Sequence, residues 1–286
     1  MKILVLGRSG QLACALQRCC PPDWQMTALG RDQADLTDPA ACAAVVAGTK
    51  ADVVINAAAY TAVDRAETEE DLATTINARA PGAMAQVAAA RGLPFVQVST
   101  DYVFDGSGST PWQTDSPTAP LGAYGRSKLA GERAVRAAGG AAVILRTAWV
   151  FSAYGTNFLR TMLHLGATRT DLRVVADQIG GPTPAPDLAK ALLHIAASLH
   201  ARPQTAGTYH FSGSPDVSWA DFTRAIMAGA GLDCRISDIP TKDYPTPARR
   251  PANSRLECST LTAAFGLVQP DWRAGLTAAL HDLKGP

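Results

Sequence analysis

Tyr124 and Lys128 stand four residues apart in the run Tyr124-Gly125-Arg126-Ser127-Lys128. On a helix that spacing puts both side chains on one face. A free tyrosine titrates near about 10, and a neighbouring ammonium favours its phenolate. The pair reads as a proton-transfer couple near neutral pH, with Tyr124 as the acid and Lys128 as its partner. Lys128 is also placed to hold a nicotinamide ribose. A second polar run, Ser99-Thr100-Asp101-Tyr102-Val103-Phe104-Asp105-Gly106, closes an expected strand. Ligands in open α/β sheets collect outside the carboxyl ends of strands. Thr100 or Ser99 is therefore a candidate for bonding a substrate oxygen beside Tyr124, and Asp101 is a second polar candidate.

A phosphate-binding loop is spelled by Gly7-Arg8-Ser9-Gly10-Gln11-Leu12-Ala13. Gly7 permits a tight turn, and Gly10 lets the backbone approach a pyrophosphate. Ala13, in place of a third glycine, still keeps the helix close to the sheet. The following helix aims its first amides at the phosphates. The spacing is G-x-x-G-x-x-A rather than G-x-G-x-x-G. The second strand ends at Leu29-Gly30-Arg31, where an acid would bind a ribose 2′-hydroxyl. Arg31 instead offers a cation for a 2′-phosphate, and Arg8 adds charge on the same side. This predicts a preference for NADPH over NADH, with NADH still usable.

The elements that must carry these groups alternate between strand and helix. Lys2–Leu6, Gln25–Leu29, Asp52–Asn56, Pro94–Ser99 and Ala141–Arg146 read as strands. Gln11–Cys20, Ala40–Ala47 and Tyr124–Ala138 read as helices. Asp64–Arg91 reads as a long helical stretch broken near Ala80-Pro81. The alternation predicts an α/β fold: a Rossmann-like doubly wound parallel sheet with a smaller C-terminal substrate-binding lobe. Residues 1–150 are expected to form the dinucleotide-binding domain, with a return near 174–200. Residues 151–173 and 201–286 are expected to form the substrate lobe.

The chain has 286 residues, of which 47% are hydrophobic and 18% charged, enough for a sizeable core. Lys plus Arg is 26 against 25 for Asp plus Glu, a balance that argues against a nucleic-acid partner. No apolar stretch approaches the roughly 20 residues needed to span a bilayer, and no secretory leader is visible. Cys14, Cys19, Cys20, Cys42, Cys234 and Cys258 form neither a C-x-x-C pair nor a zinc pattern. They are expected to be reduced thiols in a cytoplasmic protein. No H-E-x-x-H, Walker loop or G-x-S-x-G elbow is present.

Taken together, these motifs resemble the extended short-chain dehydrogenase/reductases, and within them the dTDP-4-dehydrorhamnose reductase family. Supporting segments are Gly7–Leu12, Asp35–Asp38, Asn56–Asp64, Ser99–Gly106, Tyr124–Glu132, Arg146–Phe151, Asp177-Gln178, Gly181–Thr183 and Arg250–Leu256. The resemblance implies NADPH-dependent reduction of the C4 keto group of dTDP-4-dehydro-L-rhamnose. It implies Tyr124, Lys128 and Thr100 as the catalytic set. It places Asp35 and Leu36 near adenine. Gly7, Ser9, Gly10, Gln11, Leu12, Ala57, Ala58, Ala59 and Tyr60 line the cofactor cleft, with Asn77 on the helix behind it. Asp101, Val103, Trp149 and Asn157 become candidates for substrate contact, and Arg255 for holding the nucleotide diphosphate. Where relatives often carry a glutamate that joins a magnesium-bridged dimer, this chain has Ala15. A metal-independent monomer is therefore expected. Three alternatives stay open: a reductase of another nucleotide 4-keto-6-deoxy sugar, a sugar-nucleotide epimerase or dehydratase that would retain NAD, and a non-catalytic regulatory subunit of the methionine adenosyltransferase type.

Overall fold

The computed structural model describes residues 1–284. Six parallel strands form the main sheet: β1 (Lys2–Leu6), β2 (Gln25–Leu29), β3 (Val53–Asn56), β4 (Phe95–Thr100), β5 (Ala142–Thr147) and, much later in the chain, β10 (Gly207–His210). Their order is β10-β5-β4-β3-β1-β2. The chain reverses direction across the sheet between β1 and β3, the switch point where doubly wound sheets open a ligand crevice. β3 is buried along its whole length, as a strand covered on both faces must be.

Between these strands run α1 (Gln11–Cys19), α2 (Pro39–Gly48), α3 (Val63–Ala66), α4 (Glu70–Thr74), α5 (Ala80–Ala90) and α6 (Ala123–Ala137). α1 buries Leu12, Ala13, Ala15 and Leu16, one helical stripe. α2 starts where Asp38 accepts the amides of Ala40 and Ala41 and Pro39 opens the first turn. One core layer joins Val5, Ile55 and Leu145 to Leu188, Leu192 and Phe265. The other joins Leu4, Val54 and Ile144 to Val46 and Met84.

The smaller lobe contains β6 (Val150–Phe151), α7 (Phe158–Gly166), β7 (Asp171–Val175), β8 (Ile179–Gly180) and β9 (Thr183–Pro184). After α8 (Ala185–Ala201) and β10, it resumes with β11 (Val217–Ser218), α9 (Trp219–Ala230), β12 (Arg235–Ile239) and β13 (Asn253–Ser254). α10 (Ser259–Phe265) and α11 (Trp272–Lys284) close the chain. Phe151, Leu159, Phe222 and Trp272 centre this lobe's own core.

Three boundaries differ from the sequence reading. β7 pairs with β12 in the smaller lobe, so the return to the main sheet begins at α8 rather than near 174. β10, expected in the substrate lobe, is the edge strand of the main sheet beside β5. α10 likewise packs Leu261 and Phe265 into the main core. The helix break expected at Ala80-Pro81 is instead a π turn, Thr75–Arg79, running directly into α5. Pro81 has no amide to give, and the widened turn before it absorbs the irregularity.

Candidate active site

Glycines let the catalytic helix lie close to its neighbours. A Cβ on Gly125 would come within 2.2 Å of the Tyr102 carbonyl, and one on Gly131 within 2.0 Å of the Asn77 carbonyl. This approach buries Lys128, whose ammonium donates to the Val98 carbonyl at 2.7 Å. Asn77, in the π turn, anchors the same helix. Its amide donates to Ser127 Oγ at 2.9 Å and to the Tyr60 carbonyl at 3.0 Å, while its Oδ1 accepts the Tyr60 amide at 2.9 Å. Ser127 Oγ passes the contact on to the Tyr124 carbonyl at 2.7 Å. Asn77 thus fixes both Tyr60 and the turn carrying Tyr124.

The electrostatics correct one expectation. Tyr124 is raised above the ordinary tyrosine value, by burial first and the Asp101 carboxylate second, with the Thr100 hydroxyl opposing. Lys128 is not what sets it. Burial lowers Lys128 to about 8, and Glu132 partly offsets that. Tyr124 therefore stands as a neutral phenol, the form that can donate a proton to a carbonyl oxygen.

Ser99 and Thr100 differ in their partners. Ser99 Oγ donates to Glu132 at 2.6 Å and points away from the site. Thr100 Oγ1 donates to Asp101 Oδ1 at 3.1 Å and accepts the Tyr102 amide at 3.2 Å. Asp101 is buried without a cation. Burial raises it to about 6 against the opposing Ser254 and Thr100 hydroxyls. Its Oδ2 and the Thr147 hydroxyl are the two buried side-chain atoms that lack a partner among the described residues. Both flank Thr100, Asp101 along the chain and Thr147 across the sheet. Thr147 was not among the residues singled out from the sequence.

The cofactor side fits a dinucleotide. Gly7 takes φ 115° and packs on Ala57 and Ala58, with Ala13 Cβ 3.5 Å from where its own Cβ would be. Gly10 begins α1 with no side-chain cap and no acid in the first turn, and a Cβ there would meet nothing. With neither a capping side chain nor an acid in its first turn, the start of α1 suits a pyrophosphate. Gln11 turns toward the smaller lobe and donates to the Val150 carbonyl at 3.1 Å. At the end of β2, the Arg8 guanidinium covers Gly30, where a Cβ would lie 2.7 Å from Arg8 Cζ. Arg8 pairs with Asp32 at 2.8 Å, and exposed Arg31 pairs with Asp35 at 3.1 Å. Asp35 also accepts the Thr37 amide, which holds its carboxyl below the usual range. Leu36 is buried in the second core layer.

On the substrate side, Trp149 has φ 49°, the single non-glycine residue at positive φ among the described residues. Its ring lies against Gly180, where a Cβ would sit 2.8 Å from the indole. It stacks on Trp219, centroids 3.5 Å apart and planes within 10°. Trp219, at the start of α9, was also missed. Its only sequence signal was an aromatic beside a helix cap. Arg255 follows β13 and lies near Asn253 Oδ1 (3.0 Å) and Asp216 (3.7 Å). Two substrate candidates are engaged within the protein. Val103 is fully buried among Phe104 and Leu129. Asn157 caps α7 and clasps the Ser152 and Tyr154 carbonyls, so its side chain is occupied within the protein.

Ala15 lines a cleft of about 430 Å³ among α1, α8 and α11, away from Tyr124. Its charged walls are already paired, Lys190 with Asp187 at 3.4 Å and Arg18 with Asp282 at 3.9 Å. No cluster of three potential metal ligands occurs among the described residues, and none of their helices is long and apolar enough to cross a membrane.

A family model described as the RmlD substrate binding domain matches residues 1–284. A dTDP-4-dehydrorhamnose reductase of Burkholderia thailandensis is 45% identical over 99% of each chain. The crystal structure of a dTDP-4-dehydrorhamnose reductase from Clostridium acetobutylicum superposes with a TM-score of 0.92 at 36% identity, covering 99% of this chain and 100% of that one. A reductase of the same description from Bacillus anthracis, in complex with NADP, gives 0.91 at 33% identity, covering 98% and 99%.

Proposed function

The chain belongs to the RmlD substrate binding domain family, and on that premise we propose that it reduces the C4 keto group of dTDP-4-dehydro-L-rhamnose with NADPH. The observation that carries this reading is a neutral, half-buried Tyr124 against Thr100, one helical turn before the buried Lys128, at the carboxyl end of β4.

Gly7, Gly10, Gln11 and Leu12 would hold the pyrophosphate through the uncapped start of α1, and Arg8 and Arg31 would face a 2′-phosphate. Ser9, Ala57, Ala58, Ala59, Tyr60 and Asn77 complete the wall behind it, and Asp35 and Leu36 the adenine end. When bound, NADPH supplies the hydride. Thr100 orients the carbonyl oxygen, and Tyr124 gives it a proton. Lys128, charged through most of the neutral range, would hold the ribose from the same helix. Trp149 forms a flat wall for the sugar, Asp101 accepts a sugar hydroxyl, and Arg255 meets the diphosphate. The free cysteines support a cytoplasmic location, and the paired charges around Ala15 support a monomer.

The test follows NADPH oxidation at 340 nm with freshly made dTDP-4-dehydro-L-rhamnose, with NADH and a Tyr124→Phe variant in parallel. Turnover that prefers NADPH and falls by at least about 100-fold in the variant, with cofactor binding retained, is expected. Cofactor binding without turnover overturns the reading.

A further inference from the structure

Behind the site lies a buried ion pair that the reaction itself does not use. Glu132, one turn beyond Lys128, is fully buried, and Arg146 on β5 is 2% exposed. Arg146 grips both carboxylate oxygens of Glu132, at 2.8 and 2.7 Å. Ser99 Oγ donates to the same carboxylate at 2.6 Å, and Arg136 adds a bond at 2.7 Å. Ser99 immediately precedes Thr100. One carboxylate on the catalytic helix therefore fixes the strand that carries the third catalytic group.

The other end of the pair leads to the substrate lobe. Arg146 Nη1 donates to the Thr114 carbonyl at 3.1 Å and lies 3.3 Å from His210 Nε2. His210 Nδ1 meets the Trp112 carbonyl at 3.1 Å. Trp112 is stitched to the segment after β13. Its amide donates to the Arg255 carbonyl at 2.9 Å, its indole to the Asn253 carbonyl at 3.1 Å, and its carbonyl accepts the Glu257 amide at 2.9 Å. That segment carries Ser254, beside Asp101, and Arg255.

We propose that Glu132 and Arg146 are positioning residues for the reduction, setting α6 against Thr100 on one side and the segment 253–257 on the other. A buried pair is costly to desolvate and contributes little stability over an apolar pair, and register is its best-attested use. This pair satisfies that description: it contacts no reacting atom, yet its bonds end at Ser99, next to Thr100, and at His210, which leads through Trp112 to the segment 253–257.

The inference rests on the reductase reading, and its two branches have different signatures. Ser99→Ala cuts the link to the catalytic strand and lowers kcat about tenfold, with KM for the nucleotide sugar held within about twofold. His210→Phe cuts the link to Trp112 and raises that KM about tenfold, with kcat within about twofold. Arg146→Lys keeps a cation on Glu132, loses the Thr114 and His210 contacts, and follows His210→Phe. NADPH affinity, read by its fluorescence, stays unchanged in all three. Amide hydrogen exchange gives a second readout that needs no turnover. His210→Phe and Arg146→Lys speed exchange at 112–114 and 253–257 but not in α6, while Ser99→Ala speeds it in β4 and α6 alone. Both readouts lacking this split, with the variants only melting earlier, overturn the proposal. The exchange split among the variants, with a wild-type protein that reduces no nucleotide sugar, overturns the reductase reading alone.

Discussion

β4 and β5 end side by side, and their last two residues face opposite ways. Ser99 and Arg146 form one pair across the sheet, Thr100 and Thr147 the next. On the Ser99 side every polar group is spent on another: hydroxyl, carboxylate, guanidinium and imidazole all have partners. On the Thr100 side, Asp101 Oδ2 and Thr147 Oγ1 are buried and have none among the described residues. Burying a polar group without a partner is costly, so such groups survive where a ligand will meet them. The first face is spent on the fold, and the second is the one we propose meets substrate.

That contrast can be broken first where it is strongest. Glu132→Leu leaves Arg146 buried and uncompensated, and should lower unfolding free energy by about 3–5 kcal/mol in chemical denaturation. A loss below about 1 kcal/mol would show that the satisfied face is not structural. On the opposite face the sign reverses and depends on pH. Asp101 titrates near 6 in the folded protein, above its ordinary carboxylate value, so the folded state keeps its proton longer. Stability is lost as pH rises from about 4 through about 6. Asp101→Asn removes that loss, so the variant should gain on the wild type between about pH 4 and 7.5, by on the order of 3 kcal/mol. Identical offsets at both pH values would sink the idea. The smallest effect belongs to Thr147→Val, which removes an unpartnered hydroxyl while keeping the shape. Stability should hold or rise by about 1 kcal/mol while kcat/KM falls about tenfold. A clear loss of stability would mean that the hydroxyl already has a partner, such as ordered water.

How much of this the sequence revealed depends on the range of the interaction. Tyr124 and Lys128 are linked by helical spacing, and the Gly7 loop by its place after a strand, so both were readable locally. The parallel sheet followed from alternating apolar runs. β10 was misplaced because a four-residue strand does not announce which sheet it joins. The π turn around Asn77 was invisible because its residues have ordinary helical character. A residue's type likewise does not say which way it faces, as Val103 and Asn157, both engaged within the protein, illustrate. Glu132 and Arg146 lie fourteen residues apart and meet only through the packing of α6 on the sheet. The raised Tyr124 likewise reflects burial and Asp101, neither of which helix spacing reports.

Trp149 has a further consequence. Its φ of 49° suits glycine, and holding a bulky residue there costs on the order of 1–3 kcal/mol. Yet the indole it presents is stacked on Trp219, where we propose that it walls the sugar. Backbone comfort and ring chemistry therefore pull this position toward different amino acids. Under selection for stability alone, drift would carry it toward glycine. Under selection for sugar binding it stays tryptophan, and intermediate residues satisfy neither demand. The position is an evolutionary fork, and which branch a descendant takes reports whether it still handles a sugar.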